Sequence, residues 1–455
     1  MRLLIVILKI KERIMRTKFY FLICTCLLAM VFLNNGLAQS TTKLDDQLQA
    51  ALDQYRVDSY QYNTKFSLSA GMTMSVSLPG EKEAHTFYSG TTAMNSNGLV
   101  DDQSLFEIAS VTKSFTSAII LKLEAAGAIK SINDPIKDYL QVCDDPTGKL
   151  CLTQQEMDAW GDISIKQVMN HTGGIPNITD NETLLNTMLV DPTKRWTPAD
   201  LLQLVIGMKP REEGWYYSNT DYILLGMIIR NLTHLSMQEA METMLFEPLA
   251  LTDTYYLPKS PADQDFPDKI RDRLLHGYTE LFSDYVGYNY DATNVSLSYA
   301  DAAGSIISNS RDLTTWIQAL FGGNVLPKKQ LDEMEGVVCM AGDDGYWGKA
   351  CKPAGSSNVP IDAVAYGLGI ARDYLGPDIG VVWWHGGDAP GFETLFMYSP
   401  KYNIVISVMS NVSSDYMFLS LCEKVFQTIL NSPEWGFNTK KQKGLIRSMV
   451  SSLDN

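Results

Sequence analysis

Basic side chains are scarce in this 455-residue chain: 37 Lys and Arg face 52 Asp and Glu, a formal charge of −15. Such a chain has no electrostatic footprint for DNA or RNA phosphates, which excludes nucleic acid as a partner. Cysteine is sparse as well, with seven in all and no C-x-x-C, so zinc ribbons and thioredoxin-type exchange are excluded. The five histidines (85, 171, 234, 276 and 385) form no H-E-x-x-H or H-x-H pair, and neither a metal nor a cofactor is expected. No P-loop and no G-x-G-x-x-G occurs. The single G-x-S, Gly355-Ser356-Ser357, is followed by Val359 where a nucleophile elbow needs glycine, which closes the α/β-hydrolase route to a reactive serine. With 45% hydrophobic residues, the remainder reads as an acidic globular protein.

The first residues break that acidic pattern. Arg2, Lys9, Lys11, Arg13, Arg16 and Lys18 precede an uncharged run from Phe19 to Leu33, and small residues follow up to Ala38. This arrangement predicts a secretory leader over 1–38, with Met15 an alternative start and cleavage near Ala38. Cys24 and Cys26 lack the small residues of a lipoprotein site. The expected mature chain has 417 residues and a charge of −20, and is periplasmic or secreted, touching a membrane only through an uncleaved leader. Cys143 with Cys151 and Cys339 with Cys351 are close in sequence; they read either as local disulfides or as small buried thiols, with Cys422 left over.

Periodicity predicts a helix over Leu44–Tyr55. Strands follow near Gly71–Leu78 and His85–Tyr88 around a Pro79-Gly80 turn, and then a helix over Ser110–Ala126 stopped by Gly127. Residues 128–290 read as helices and loops. Gly380–Trp384, Glu393–Tyr398 and Ile404–Met409 form an antiparallel meander, and a helix over Phe418–Leu430 closes the chain. The expected fold class is α/β, an antiparallel sheet flanked by N- and C-terminal helices. Residues 39–109 and 295–455 would supply the sheet region, and 110–294 an inserted, mostly helical region carrying the nucleophile helix.

One chemistry survives the exclusions. S-x-x-K occurs at Ser40–Lys43, beside the processed end, and at Ser110–Lys113, opening the long apolar helix. Positions i and i+3 share a helix face, so Lys113 sits beside Ser110 and can act as its base once burial lowers its pKa. Tyr217-Ser218-Asn219 is the sole Y-x-N; a tyrosine near a cation can be partly phenolate and move protons, while Asn219 can orient Lys113 and an amide substrate. His385-Gly386-Gly387 ends a strand whose bare edge would accept a substrate, and the N–H of Asp388 would join that of Ser110 as an oxyanion hole. His171-Thr172-Gly173 repeats the H-x-G pattern but is flanked by Gly174 and Pro176 and not by strands, and reads as a structural loop, with lining of the cleft as the lesser alternative.

S-x-x-K, Y-x-N and H-x-G in that order resemble the penicillin-recognising serine hydrolases, in the branch of class C β-lactamases, D-Ala-D-Ala carboxypeptidases and related esterases. Phe106-Glu-Ile-Ala-Ser-Val-Thr-Lys, Asn170-His-Thr-Gly-Gly-Ile-Pro, Ala303-Gly-Ser-Ile-Ile-Ser, Tyr366-Gly-Leu-Gly and His385-Gly-Gly-Asp-Ala-Pro-Gly-Phe extend the resemblance over roughly residues 45–430. It implies a β-lactamase-like fold and an acyl-enzyme on Ser110. Lys113 and Tyr217 would share proton transfer, His385 would assist from the strand, and Asn219, Gly387 and Asp388 would hold the substrate. The implied activity is on a D-amino-acid peptide, amide or ester, as in a D-Ala-D-Ala carboxypeptidase. The alternatives are an esterase without a peptidoglycan role, then a β-lactamase, then a silent envelope-binding protein. Asp388 stands where carboxypeptidases of the branch hold a carboxylate; Arg372, on what reads as the preceding strand, is more simply a solvated strand arginine and otherwise the residue to supply a cation in its place. The partner expected is a small-molecule or peptide substrate.

Overall fold

The computed structural model describes residues 44–62, 71–147, 150–210, 214–287, 289–340, 351, 354–413 and 418–435. The expected leader, with Met15, Cys24 and Cys26, and the Ser40–Lys43 pair lie outside the described residues. The chain divides into a unit ending at Gln47 and another from Leu48 onward, and the site lies wholly in the second.

An eight-stranded, wholly antiparallel sheet draws on both ends of that unit. Its strands are β1 (Met72–Ser77), β2 (His85–Ser89), β3 (Val338–Cys339), β4 (Ala365–Tyr366), β5 (Ala371–Tyr374), β6 (Val381–Ala389), β7 (Phe392–Ser399) and β8 (Ile404–Ser410). The order across the sheet is β3-β4-β5-β6-β7-β8-β1-β2, so β1 closes the late meander by pairing with β8, Met72 opposite Ser410. Gly80, at φ +86°, makes the β1–β2 turn in a conformation that glycine reaches without steric cost.

The two faces of β1 differ in chemistry, and both are buried. Met72, Met74 and Val76 form one face, Thr73, Ser75 and Ser77 the other. The hydroxyl face receives helix α4, defined below. Ser310 Oγ lies 2.8 Å from both Thr73 Oγ1 and Ser75 Oγ, and Thr314 donates to Ser407 Oγ at 3.0 Å. Ser77 Oγ accepts from the Gln318 amide, so the buried hydroxyls of that layer are partnered, as buried polar groups must be.

Five helices matter for the site: α1 (Leu44–Tyr62), α2 (Thr112–Ala125), α3 (Asn219–Thr233), α4 (Ser310–Phe321) and α5 (Leu419–Asn431). In α1, Leu48 and Leu52 recur at helical spacing and are fully buried. Helix α2 is buried on nearly every side, and its polar residues Lys113, Ser114, Thr116 and Ser117 are enclosed with the apolar ones and find partners inside. Phe115 stacks on Trp316 of α4 with ring centroids 4.0 Å apart, and Trp316 Nε1 donates to Ser114 Oγ at 3.0 Å. On its other side Ser117 Oγ meets the Tyr222 hydroxyl of α3 at 3.0 Å. A 3-10 turn, Ala109–Val111, precedes α2, so Ser110 sits in a tighter turn rather than in the α-helix itself. Cys143 is bonded to Cys151 and Cys339 to Cys351, while Cys422 is a free, buried thiol. Among the described residues no helix is long and apolar enough to cross a membrane.

Asp301 holds the segment that reaches back to α2. It adopts φ +40°, a left-handed conformation unusual for aspartate. The Arg230 guanidinium of α3 grips both its carboxylate oxygens, and Tyr256 donates to it at 2.6 Å. The pair is mostly buried, with side-chain exposures of 13% and 6%, so removing one partner strands the other in low dielectric. We predict that Asp301→Ala lowers unfolding free energy by about 3–5 kcal/mol in urea titrations. A loss below ~1 kcal/mol would show that the pair is not what holds this segment.

Candidate active site

The site forms where α2, α3, the Asp301 segment and the later half of β6 meet around one amine. Lys113 is fully buried. Its Nζ lies 3.0 Å from Ser110 Oγ, 2.7 Å from Asn219 Oδ1 and 3.0 Å from the Ala303 carbonyl oxygen. Two of those three partners are carbonyl oxygens, which can only accept. A neutral amine therefore donates both N–H bonds to them and turns its lone pair toward the Ser110 hydroxyl. Burial drives the Lys113 ammonium well below the ordinary lysine range, with the Asp221 carboxyl opposing the shift. An amine so placed is able to take the proton of the Ser110 hydroxyl.

Asn219 begins α3 and is itself fixed. Its backbone N–H donates to Asn177 Oδ1 at 2.9 Å, and its side-chain amide nitrogen faces Asn177 Oδ1 and Thr179 Oγ1 at 3.3 and 3.4 Å. With nitrogen committed there, its oxygen must face Lys113. Tyr217 brings its ring within 4.8 Å of Lys113 Nζ. Burial raises its phenol, a hydrogen bond with Ser110 partly offsets this, and Asp221 adds to the rise. The sequence reading of a partial phenolate is therefore corrected: with its neighbouring amine held neutral, Tyr217 is a neutral phenol that can pass a proton on.

His385 is buried on β6. Its Nδ1 lies 2.6 Å from the Gly386 carbonyl and so carries the proton, leaving Nε2 to accept from the Tyr366 hydroxyl at 2.9 Å. Burial, with Lys113 adding to it, pushes the imidazole down to about 3. The glycine beside it is demanded by contact: a Cβ on Gly387 would stand 2.1 Å from the Ile108 carbonyl oxygen, just ahead of the nucleophile. Strand β5 pairs with β6 only from Val381 to Trp384, whereas β7 pairs through Ala389. Beyond Trp384 no described strand pairs with β6 on the β5 side, the stretch where a bare edge is expected from the sequence.

A cavity of about 840 Å³ opens here, lined by Ser110, Tyr217, Asn219 and His385 together with Gly387 and Asp388. Arg372 is placed elsewhere. Its guanidinium donates to the Pro360 carbonyl at 2.7 Å and to Ala363 at 3.4 Å, and it is not among the lining residues, so the cation anticipated from it is absent. Asn177, Thr179, Trp215, Tyr299, Tyr366 and Glu393 also line the cavity and were not singled out from sequence. Asn177 follows directly on the Asn170–Pro176 segment that carried part of the family resemblance, and Tyr366 opens another such segment. Those were the available signals. Among the described residues no cluster of His, Cys, Asp and Glu has the form of a metal site.

A serine, an amine and a phenol grouped at one cavity are the equipment of a serine hydrolase. The model of the Beta-lactamase family matches residues 68–419, and the chain belongs to that family. Penicillin-binding protein 4* of Bacillus subtilis (strain 168) is 25% identical over 362 residues, which cover 76% of this chain and 69% of that one. Protein flp of Staphylococcus aureus (strain MRSA252) is 28% identical over 315 residues, 69% of this chain, and the chain spans about half (54%) of its length. The D-amino acid amidase from Ochrobactrum anthropi SV3, solved with L-phenylalanine amide, superposes with a TM-score of 0.66 at 24% identity, covering 86% of this chain and 99% of the other. A D-stereospecific amidohydrolase from Streptomyces sp. gives 0.63 at 24% identity, over 84% and 97%. At these identities the structures establish a shared β-lactamase-like fold.

The assignment of His385 is open to direct measurement. Its proton-free Nε2 and lowered pKa predict that the ring stays neutral down to about pH 4 in histidine NMR titrations. Titration between pH 6 and 7, the range of an unperturbed imidazole at roughly 6.5, would contradict its burial in the neutral form.

Proposed function

We propose that this chain hydrolyses D-amino-acid amides, peptides or esters through an acyl-enzyme on Ser110. The observation that carries the reading is the Lys113 amine, whose two carbonyl partners leave its lone pair for the Ser110 hydroxyl. Ser110 Oγ attacks the substrate carbonyl as its proton passes to Lys113 Nζ, forming a C–O bond and a tetrahedral oxyanion. The backbone N–H groups of Ser110 and Asp388 receive that charge. Collapse expels the amine or alcohol, which takes a proton relayed through Tyr217 from Lys113. Water then repeats the sequence on the acyl-enzyme, with Lys113 and Tyr217 again accepting and returning its proton, and regenerates Ser110. Asn219 orients Lys113 and offers its amide to the substrate. His385 supports the strand through Tyr366 and Gly386.

Charge in the cavity bears on the substrate. The described lining includes Glu280, Asp388 and Glu393 and no Lys or Arg, and Arg372 is bound elsewhere. A substrate ending in a free carboxylate, as a D-alanyl-D-alanine peptide does, meets like charge here. The amide and ester reading is therefore favoured over a carboxypeptidase. The −20 charge expected after leader removal and the two disulfides fit an exported protein acting in the periplasm or outside the cell.

Two measurements test this reading. Incubation with a fluorophosphonate should add one adduct to the intact mass. Ser110→Ala should abolish it, and Lys113→Met should slow it by roughly 10²–10⁴-fold, the usual contribution of a general base. The wild-type rate should rise with pH through a midpoint well below the ~10.4 of free lysine, because only the neutral amine accepts the proton. Between D-phenylalanine amide and an N-acyl-D-alanyl-D-alanine of similar size, kcat/KM should favour the amide by about tenfold or more, the effect of ~1.4 kcal/mol. An adduct that persists in Ser110→Ala overturns the nucleophile, and a preference for the carboxylate substrate overturns the electrostatic argument.

A further inference from the structure

The second H-x-G of the sequence, His171-Thr172-Gly173, packs directly against the catalytic cluster instead of serving only as a turn. His171 is fully buried and adopts φ +63°, a left-handed conformation uncommon among non-glycine residues. Such a conformation persists where its surroundings over-determine it, and such sites cluster around active centres. Three contacts run from this one residue to Tyr217 and its flanks. The His171 carbonyl accepts the Tyr216 N–H at 2.8 Å. Its Nδ1 accepts the Ser218 N–H at 3.3 Å. Its ring lies 4.5 Å from the Tyr217 ring, tilted by 48°. The backbone is thereby held on both sides of Tyr217 and the ring is held between.

A fourth contact fixes the imidazole itself. Asp221, in the first turn of α3 and 1% exposed, places Oδ2 2.7 Å from His171 Nδ1. The Asp221 carboxyl at 2.7 Å and the Ser218 N–H at 3.3 Å thus converge on that one nitrogen and together fix the orientation of the ring. Burial pushes the carboxyl well above its ordinary range, with Lys113 opposing, and the imidazole well below its own, so the loss of water disfavours the ionised pair. Nε2 of His171 has no hydrogen-bond partner among the described residues, and the Tyr217, Tyr222 and Tyr366 rings surround the imidazole at 4.5, 5.5 and 5.0 Å. The ring's one hydrogen-bonding edge is thus spent entirely on Asp221 and Ser218.

We propose that His171, oriented by Asp221, is a positioning residue that clamps Tyr217 against Ser110 and Lys113. The proposal rests on the Ser110 acyl-enzyme reading and extends it to a pair of residues that touch neither the substrate nor the nucleophile.

The test uses the full chain with a fluorophosphonate, reading the rate of Ser110 modification by intact mass and the melting temperature of each variant. His171→Phe keeps an aromatic ring against Tyr217 but removes Nδ1. It is expected to slow labelling at least tenfold while still melting cooperatively. In a Tyr217→Phe background the same change should slow labelling less than threefold, because the hydroxyl it positions is already gone. Asp221→Val, which deletes the bond to Nδ1 from the other side, should show the same non-additivity and covers the case in which His171→Phe fails to fold. Labelling of His171→Phe at the wild-type rate overturns the clamp, since ring packing alone then suffices. Equal slowing in both backgrounds overturns it too, since His171 then acts on the fold and not through Tyr217. Wild-type chain left unlabelled overturns the acyl-enzyme reading and this one with it. Labelled wild type with additive variants removes only the clamp.

Discussion

Burying one amine is the constraint on which the rest depends. Lys113 sits in the most enclosed part of the molecule, and an amine there is tolerated only if each of its polar bonds is met. Its three partners come from the turn before α2, the start of α3 and the segment after Asp301. Those segments are 106 to 190 residues away from Lys113 or adjacent to it, so satisfying the amine requires the helical region and the sheet region to close on one another. The Arg230–Asp301 grip and the Asn177–Asn219 contacts then read as one system that presents oxygen, never nitrogen, to the amine.

The same enclosure sets the electrical character of the site. Lys113, His171 and His385 are all driven toward their neutral forms, and Tyr217 and Asp221 are pushed toward their protonated forms by the same loss of water. A site with little standing charge is cheap to bury, and whatever charge appears during a reaction is felt strongly there. The acids at the cavity wall, Glu280 and Asp388, lie where solvent reaches them. Neutral interior and acidic rim are separate features with separate consequences, the first for proton transfer and the second for which ligands approach.

Much of this was legible in the chain, for identifiable reasons. The i, i+3 spacing of Ser110 and Lys113 is local geometry, and the Tyr217–Asn219 and His385–Gly387 motifs are short enough to survive without any tertiary information. Strand boundaries near Met72–Ser77, Phe392–Ser399 and Ile404–Ser410 followed from alternation and from Pro and Gly punctuation. Legibility stopped where a role is defined by what lies across space. Asn177, Tyr366 and the Ala303 carbonyl have no local signature that separates them from ordinary loop and strand residues. His171 looked like a turn because its neighbours are turn formers, and its burial against Tyr217 depends on α3 arriving from 50 residues away. Arg372 failed for the opposite reason: its strand was placed correctly, but two backbone carbonyls claimed its guanidinium. The charge state of Tyr217 was misjudged because proximity to a lysine was weighed without the burial that neutralises that lysine.

The stretch His385–Ala389, which no described strand pairs on the β5 side of β6, has a consequence for the protein as a solution species. Backbone at a strand edge is a template for any extended segment, including one from another copy of the same chain. Proteins guard such places by keeping them short, by walling one side and by placing charge on them. Here the stretch is five residues long, Gly387 packs on the Ile108 carbonyl in a gap too narrow for a Cβ, and the exposed, acidic Asp388 stands near its end. A charge in that position acts on an approaching strand as it does on an approaching ligand, so selectivity and solubility meet at one residue.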